Sequence, residues 1–177
     1  HNGDLYMIGI TEDAGHIRIA KSTDYGLNWT TPTDANDGLL FQAQQPGDIG
    51  YITCATPVLI TNGRVYRAFE RVTDPDAPWP TAFTTMIISA DVNDDLLKAS
   101  SWTMTNEVAF DSDWADPSWN CSVPGWMEAN VVQAPNSEIW SVIRVHTNPA
   151  VDHAAILKLS EDNTTLSFDP QTGFIDM

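Results

Sequence analysis

A glutamate and an arginine form the first candidate site of this sequence. Glu128 lies in the stretch Trp126-Met127-Glu128-Ala129-Asn130, and Arg144 follows sixteen residues later. A carboxylate can activate a weak nucleophile as a base, and a guanidinium binds a carboxylate through two parallel hydrogen bonds. The same two residues can also form an ion pair that only braces two strands. Glu128 and Arg144 are therefore candidate catalytic residues, and a structural ion pair is the alternative.

Recurring turn motifs predict the strands that carry these residues. Three segments share a turn dipeptide, a variable polar residue, an aliphatic residue and an aromatic residue: Asn2-Gly3-Asp4-Leu5-Tyr6, Asn62-Gly63-Arg64-Val65-Tyr66 and Asn136-Ser137-Glu138-Ile139-Trp140. Asn-Gly is the strongest short-range signal for a β-hairpin. Apolar runs precede the second and third turns, so we expect each turn to join two antiparallel strands.

A second motif follows each turn at a matching interval. Strand-like runs end in Ser-x-Asp at residues 22–24, 89–91 and 160–162, and an aromatic residue comes shortly after each. Helical periodicity is nearly absent, and only residues 93–101 could form a helical turn. Three copies of one unit predict an all-β chain of about three four-stranded antiparallel blades, in a single partial β-propeller domain over 1–177. The expected units are approximately 1–45, 46–115 and 116–177.

Comparison of the copies adds further candidate residues. Aligning the turns places Ile10, Glu70 and Arg144 at equivalent positions, near the end of the second strand of each unit. A charged residue in two of three copies, among apolar neighbours, indicates the mouth of a binding cavity, where the residue serves function and not packing. Arg67 and Glu70 are expected on opposite faces of one strand, because successive strand residues alternate. The predicted binding residues are Glu70, Arg67, Trp126 and Asn130.

The stretch STDYGLNWT, residues 22–30, closely resembles the Asp box of the sialidase superfamily, Ser-x-Asp-x-Gly-x-x-Trp. The spacing has a structural explanation. Asp24 can accept hydrogen bonds from backbone N–H groups of its own turn, Gly26 tolerates a positive φ, and Trp29 can fold back as a local core. We therefore predict that this stretch fastens a turn and takes no part in chemistry.

The resemblance to sialidase-like propeller proteins extends over nearly the whole chain. It includes GRVYRAFE, GWMEANVV and AAILKLSEDNTTLSFDPQTGFID, which match successive pieces of those proteins. Propellers of this family usually have six blades, so the resemblance implies that the chain is part of one. Open sheet faces in a partial propeller would favour self-association.

The resemblance also implies roles for three residues. Glu128 would polarise a nucleophilic tyrosine, Arg144 would belong to a triad that binds the substrate carboxylate, and Asp13 would be the acid/base. The family pattern places the other two arginines and the tyrosine outside residues 1–177. Neither a metal nor a cofactor is expected.

Charge limits the classes of partner. The chain has 8 Lys and Arg against 24 Asp and Glu, a net charge of −16. Nucleic acids and anionic membranes would be repelled, because the chain lacks clustered cations. No apolar run is long enough to cross a membrane. The acidic charge and the glycosylation triplets that begin at Asn28, Asn120 and Asn163 favour a secreted protein. Cys54 and Cys121 could form one disulfide.

Three functions follow from this interpretation, all with carbohydrate as the partner. The first is a glycoside hydrolase of the exo-sialidase type that cleaves a terminal sugar. The second is a non-catalytic carbohydrate-binding propeller, because one fold serves many functions. Trp79, Trp114, Trp119 and Trp126 could stack on sugar rings in that case. The third is a polysaccharide lyase, which would require a histidine and a tyrosine around an arginine. Ile52-Thr53-Cys54 gives the inner strand of the second unit no histidine, which argues against the lyase.

Overall fold

A computed structural model describes residues 3–11, 15–43, 50–53, 55–147 and 153–176. Three antiparallel sheets follow one another along the chain, which confirms the predicted all-β class. Helical structure in this part of the chain is confined to three short 3-10 helices, Ala99–Ser101, Ser112–Trp114 and Pro117–Trp119. The first lies inside the segment where the sequence predicted a helical turn.

The first sheet has three strands within the described residues, β1 (Leu5–Ile10), β2 (Ile17–Ser22) and β3 (Leu39–Phe41), in that order. The second and third sheets match the predicted four-strand pattern more closely, but their outer strands are divided into shorter pieces. In the second sheet, β4 and β5 pair with one edge of β6, and β8 and β9 pair with one edge of β7. Its strands are β4 (Tyr51–Ile52), β5 (Leu59–Thr61), β6 (Arg64–Val72), β7 (Phe83–Asp91), β8 (Trp102–Met104) and β9 (Val108–Ala109).

The third sheet has the order β10-β11-β12-β13, and β14 also pairs with β12. Its strands are β10 (Gly125–Gln133), β11 (Ile139–His146), β12 (His153–Leu159), β13 (Leu166–Ser167) and β14 (Phe174–Asp176). The Asn62-Gly63 turn joins β5 to β6 as a two-residue loop, with φ of 52° and 74°. Positive φ at both residues is the geometry that the Asn-Gly motif predicts. Asn136-Ser137 lies in the loop between β10 and β11, again as predicted.

The second sheet lies between the other two, because the side chains of β6 alternate between its faces. Val65 and Phe69 pack with Ile17 and Ile19 of the first sheet. Tyr66 and Ala68 pack in a second core with side chains of the third sheet. The three sheets therefore stack face to face in chain order, as blades of a propeller do.

The Ser22–Trp29 turn is held by its own hydrogen bonds. The Asp24 carboxylate accepts bonds from the Asn28 backbone N–H at 2.8 Å and from the Asn28 side-chain amide at 2.6 Å. The Gly26 N–H donates to the Ser22 hydroxyl at 2.9 Å. Trp29 folds back as predicted and donates its indole N–H to the Gly26 carbonyl at 3.1 Å, but it remains 37% exposed and is not a buried core. These contacts support the predicted fastening role.

Replacing Asp24 with Asn is expected to lower the melting temperature at pH 7. Hydrogen bonds from Asn28, and then from Ser22, hold the pKa of the Asp24 carboxyl below its usual range. The stabilisation is therefore present above the unfolded-state pKa of about 3.9 and is lost as the pH falls through the lower folded-state pKa. In thermal denaturation, the difference in melting temperature between the variant and the wild type should be smaller at about pH 2 than at pH 7. The control is Asp94→Asn, at an exposed turn residue. If Asp24→Asn lowered the melting temperature equally at both pH values, the ionised Asp24 carboxylate would not be the source of the stabilisation.

Candidate functional site

Glu128 and Arg144 meet on the third sheet, as the sequence predicted. The Arg144 Nε lies 2.7 Å from the Glu128 Oε2, and the two side chains are 48% and 49% exposed. Burial alternates along β11, with Ile143 and Val145 in the core and Arg144 exposed between them. The pair therefore lies on the face of the third sheet that points away from the second sheet.

A β-bulge in β10 presents Glu128. Met127 pairs with Arg144 and Asn130 pairs with Val142, so Glu128 and Ala129 together lie opposite one residue of β11. Glu128 has a backbone φ of 68°, a left-handed conformation that residues other than glycine rarely adopt. Bulges redirect side chains and are frequent beside functional sites. The sequence analysis did not predict this bulge.

Glu70 does not line the mouth that the sequence predicted. Its side chain lies on the face of β6 that packs against the third sheet, and the residue is 2% exposed. The Glu70 Oε1 accepts a hydrogen bond from the Ala129 N–H at 2.8 Å. The prediction of direct sugar contact is wrong for Glu70, because the neighbouring sheet covers it.

Arg67 and Trp126 are also too buried to touch a sugar, which corrects two further predictions. Arg67 is 8% exposed and donates to the Thr56 carbonyl and, at 3.1 Å, to the Thr53 hydroxyl. It lies on the opposite face of β6 from Glu70, as alternation predicted. Trp126 is fully buried, with its ring 5.4 Å from the Phe110 ring in an edge-to-face contact. Both side chains stabilise the stacked sheets.

The remaining predicted residues have separate outcomes. Asn130 is half-buried opposite Val142, two residues beyond Glu128 in β10. Its Oδ1 is buried and has no hydrogen-bond partner among the residues that the structure describes. Asp13 and Cys54 lie outside the described residues, so their predicted roles stay predictions.

An exposed tryptophan lies in the loop that joins β6 to β7, next to the start of β10. A Cβ placed on Gly125 would come within 2.6 Å of the Pro80 carbonyl oxygen, so only glycine lets the loop approach this strand. Trp79 is 62% exposed, and its ring meets the buried Phe83 ring edge to face at 4.3 Å. This fixed aromatic surface therefore lies at the end of β10 nearer to Glu128.

The face of the first sheet that points away from the second sheet is open. Leu5 is 45% exposed and Met7 is 58% exposed on that face, beside a concavity of about 640 Å³ that Arg18 and His16 line. The face lies two sheets away from the Glu128–Arg144 pair. Self-association through such faces stays a prediction.

In the described part of the chain, no three His, Cys, Asp or Glu side chains cluster as they would around a metal ion. Among the same residues, no helix has the length and apolar character that a membrane span requires.

Comparisons with known proteins define the fold further. No protein-family model matches the chain, and no curated protein matches it. An α-L-arabinofuranosidase from Lactobacillus brevis superposes with a TM-score of 0.59 at 12% identity, over 99% of this chain and 50% of that chain. Trypanosoma rangeli sialidase in complex with sialic acid gives a TM-score of 0.50 at 12% identity, over 95% of this chain and 28% of that chain. A protein of unknown function from Dyadobacter fermentans gives 0.51 at 14% identity, over 93% and 45%.

These likenesses show the fold and leave the chemistry open, because identity is low and one fold serves many functions. The chain has the architecture of the sialidase-like propellers, with successive antiparallel sheets packed as blades. It spans half or less of the length of each of these three structures. The structural neighbours with assigned functions are glycoside hydrolases, which supports a carbohydrate-active fold.

Proposed function

We propose that the protein is a glycoside hydrolase that removes a terminal sugar, and that Glu128 and Arg144 belong to its binding site. The observation that carries this proposal is the half-exposed ion pair itself. A bulge with a left-handed glutamate displays it on an open sheet face. A pair needed only to brace two strands would not require that backbone conformation.

Each residue of the proposed site has a distinct role. Arg144 would hold the sugar through its planar fork of N–H donors, which suits a carboxylate or a pair of hydroxyl groups. Glu128 would activate a nucleophile that another part of the full-length protein supplies. Asp13 would protonate the leaving glycosidic oxygen as the acid/base. A sialic acid carries the carboxylate that fits Arg144 best, so a sialoside is the first substrate to test.

The experiment is a substrate screen of the full-length protein. Fluorogenic sialosides and neutral glycosides, including an α-L-arabinofuranoside, are incubated with the purified protein, and release of the fluorophore is followed. Turnover of one glycoside class is the expected result. Binding of sugar without turnover of any glycoside would overturn the hydrolase proposal.

A non-catalytic carbohydrate-binding propeller is the second candidate, and exposed Trp79 favours it. Of the four tryptophans that the sequence suggested for stacking on sugar rings, Trp119 and Trp126 are buried and Trp114 packs against the core. Trp79 alone among these four presents a largely exposed ring. Its contact with Phe83 limits the freedom that it would lose when a sugar binds.

Replacing Trp79 with Ala is expected to weaken sugar binding about fivefold, because an exposed aromatic ring contributes roughly 1 kcal/mol of contact. Isothermal titration with the best glycoside from the screen measures the Kd. Leu27→Ala is the control, because Leu27 is 81% exposed and lies in the turn between β2 and β3, away from Trp79. An unchanged Kd for Trp79→Ala would exclude this ring from the binding surface.

Secretion is part of the proposal. Asn120 is exposed and has φ of 48°, and Asn163 lies on a turn with φ of 62°. Both triplets are therefore at the surface, where a glycan can be attached. The Asn28 amide, in contrast, donates to Asp24 at 2.6 Å. Expression through a secretory pathway, followed by mass spectrometry, should find glycan on Asn120 or Asn163.

A further inference from the structure

The β-bulge leaves Glu128 and Ala129 without paired residues in β11. The extra residue of the bulge separates the pair Met127–Arg144 from the pair Asn130–Val142. A bulge interrupts the ladder locally, so the inserted residue must find another hydrogen-bond acceptor. The Ala129 N–H is buried and would cost free energy if it stayed unpaired.

Glu70 supplies that acceptor from the neighbouring sheet. Its Oε1 lies 2.8 Å from the Ala129 nitrogen, although the two residues are 59 positions apart in the chain. Glu70 is 2% exposed and lies on β6, whose own strand partners at this point are Ile52 and Thr85. Burying a carboxyl group is expensive, so its presence between two sheets calls for a specific reason.

The contact couples the packing of two sheets to the position of one exposed side chain. Glu128 immediately precedes Ala129, and its left-handed φ is unfavourable unless the surroundings impose it. Holding the Ala129 N–H fixes the peptide that follows Glu128. The Glu128 carboxylate is then directed to Arg144 at 2.7 Å.

We propose that Glu70 is a positioning residue that holds the Glu128 bulge, and through it the Glu128 carboxylate beside Arg144, in the geometry that turnover requires. This inference rests on the proposed function where it concerns turnover. The structural part, that Glu70 determines the bulge, stands on the geometry alone. Equivalent positions in the three repeats thus have different roles. Ile10 packs against the core between the first and second sheets, Glu70 holds the bulge, and Arg144 is exposed.

Two substitutions at Glu70 separate positioning from a general effect on stability. Glu70→Gln keeps an oxygen that can accept the Ala129 N–H, whereas Glu70→Leu fills the space without an acceptor. Glu107→Leu is the matched control, because Glu107 is a partly buried carboxylate between β8 and β9 that pairs with Arg71 of β6 at 2.9 Å. All three are made in the full-length protein.

Amide hydrogen exchange and steady-state kinetics provide independent results. For Glu70→Leu we expect exchange of the Ala129 N–H at least about tenfold faster and kcat about 10- to 100-fold lower, since small displacements of a reacting group cost this much. KM should change by less than about threefold. Glu70→Gln should restore both protection and kcat, and Glu107→Leu should alter neither.

Several results would overturn the inference. Unchanged exchange at Ala129 in Glu70→Leu would show that Glu70 does not hold the bulge. Faster exchange with unchanged kcat in Glu70→Leu would show that Glu70 has only a structural role. If Glu70→Gln were as inactive as Glu70→Leu, the charge of Glu70 would matter and not its position. If wild type hydrolyses no glycoside, the proposed function fails, and the exchange data together with a crystal structure of Glu70→Leu still decide whether Glu70 positions Glu128.

Discussion

Replacing Glu128 with Gln is expected to lower kcat for glycoside hydrolysis by about 10²- to 10⁴-fold, the usual contribution of a positioned acid or base. Gln keeps the size of the side chain and its hydrogen-bonding oxygen but cannot take a proton. Because the Glu128–Arg144 pair is about half exposed, its loss should change the free energy of unfolding by no more than about 1 kcal/mol. Activity should therefore fall in a protein that remains folded.

The third sheet offers a matched control for this experiment. Glu138 and Lys158 form another ion pair on it, with Nζ and Oε2 3.5 Å apart and side chains 43% and 60% exposed. Glu138→Gln should leave kcat unchanged while removing a charge from the same sheet. Arg144→Ala should mainly raise KM, because it removes a group that binds the sugar. Full activity in Glu128→Gln, measured with the best substrate of the screen, would reject Glu128 as a catalytic residue.

Replacing Trp126 with Ala is expected to destabilise the protein by about 3–5 kcal/mol, the cost of deleting a fully buried aromatic side chain. Trp126 is completely enclosed between the second and third sheets. Its ring lies 5.4 Å from the rings of both Phe110 and Phe168, in edge-to-face contacts that add to the buried area. The loss follows from the cavity and the broken ring contacts together.

Urea denaturation measures this effect, and Trp79→Ala is the control. Trp79 is 62% exposed, so its replacement should cost only about 1 kcal/mol, mainly from the contact with Phe83. The midpoint for Trp126→Ala should fall far more than the midpoint for Trp79→Ala. Similar midpoints for the two variants would contradict the placement of Trp126 in the core between the sheets.

Local signals in the sequence predicted the second and third of the repeated turns and the antiparallel strands that they join, whereas Asn2 of the first turn lies outside the described residues. Asn62-Gly63 forms the expected two-residue hairpin, because both residues tolerate positive φ. The Ser-x-Asp pattern recurs in structure as well, since the Ser160 hydroxyl donates to Asp162 at 2.6 Å as Ser22 does to Asp24 at 2.8 Å. These features depend on residues close together in the chain, which is why the sequence alone reveals them.

The sequence did not predict which side chains the packing of the sheets would cover. Glu70 was predicted to line a mouth because it is charged, and Arg67 was predicted to bind substrate on the same strand, yet the third and first sheets cover the two faces of β6. Burial of this kind depends on contacts between distant segments, such as the 59 residues that separate Glu70 from Ala129. The charges of Glu70 and Arg67 thus correctly marked unusual strand positions. The reason for these positions is burial between the sheets and not contact with a sugar.

One signal for the bulge was present in the sequence. Trp126 pairs with Val145 and Val131 pairs with Ser141, so five positions along β10 correspond to four along β11. Two apolar residues five apart cannot share a face of a regular strand, which has a period of two. Trp126 and Val131 lie on either side of Glu128 and both pack in the core between the second and third sheets. One extra residue between them is what allows both to face that core, and the same extra residue exposes Glu128.

A crystal structure of the full-length protein with a bound sugar tests the central claim most directly. We predict a sugar oxygen within about 3.2 Å of the Arg144 guanidinium, in a cavity that the Glu128 carboxylate also faces. A further sheet packed over Arg144 and Glu128, with the sugar bound elsewhere, would show that the pair only braces β10 and β11.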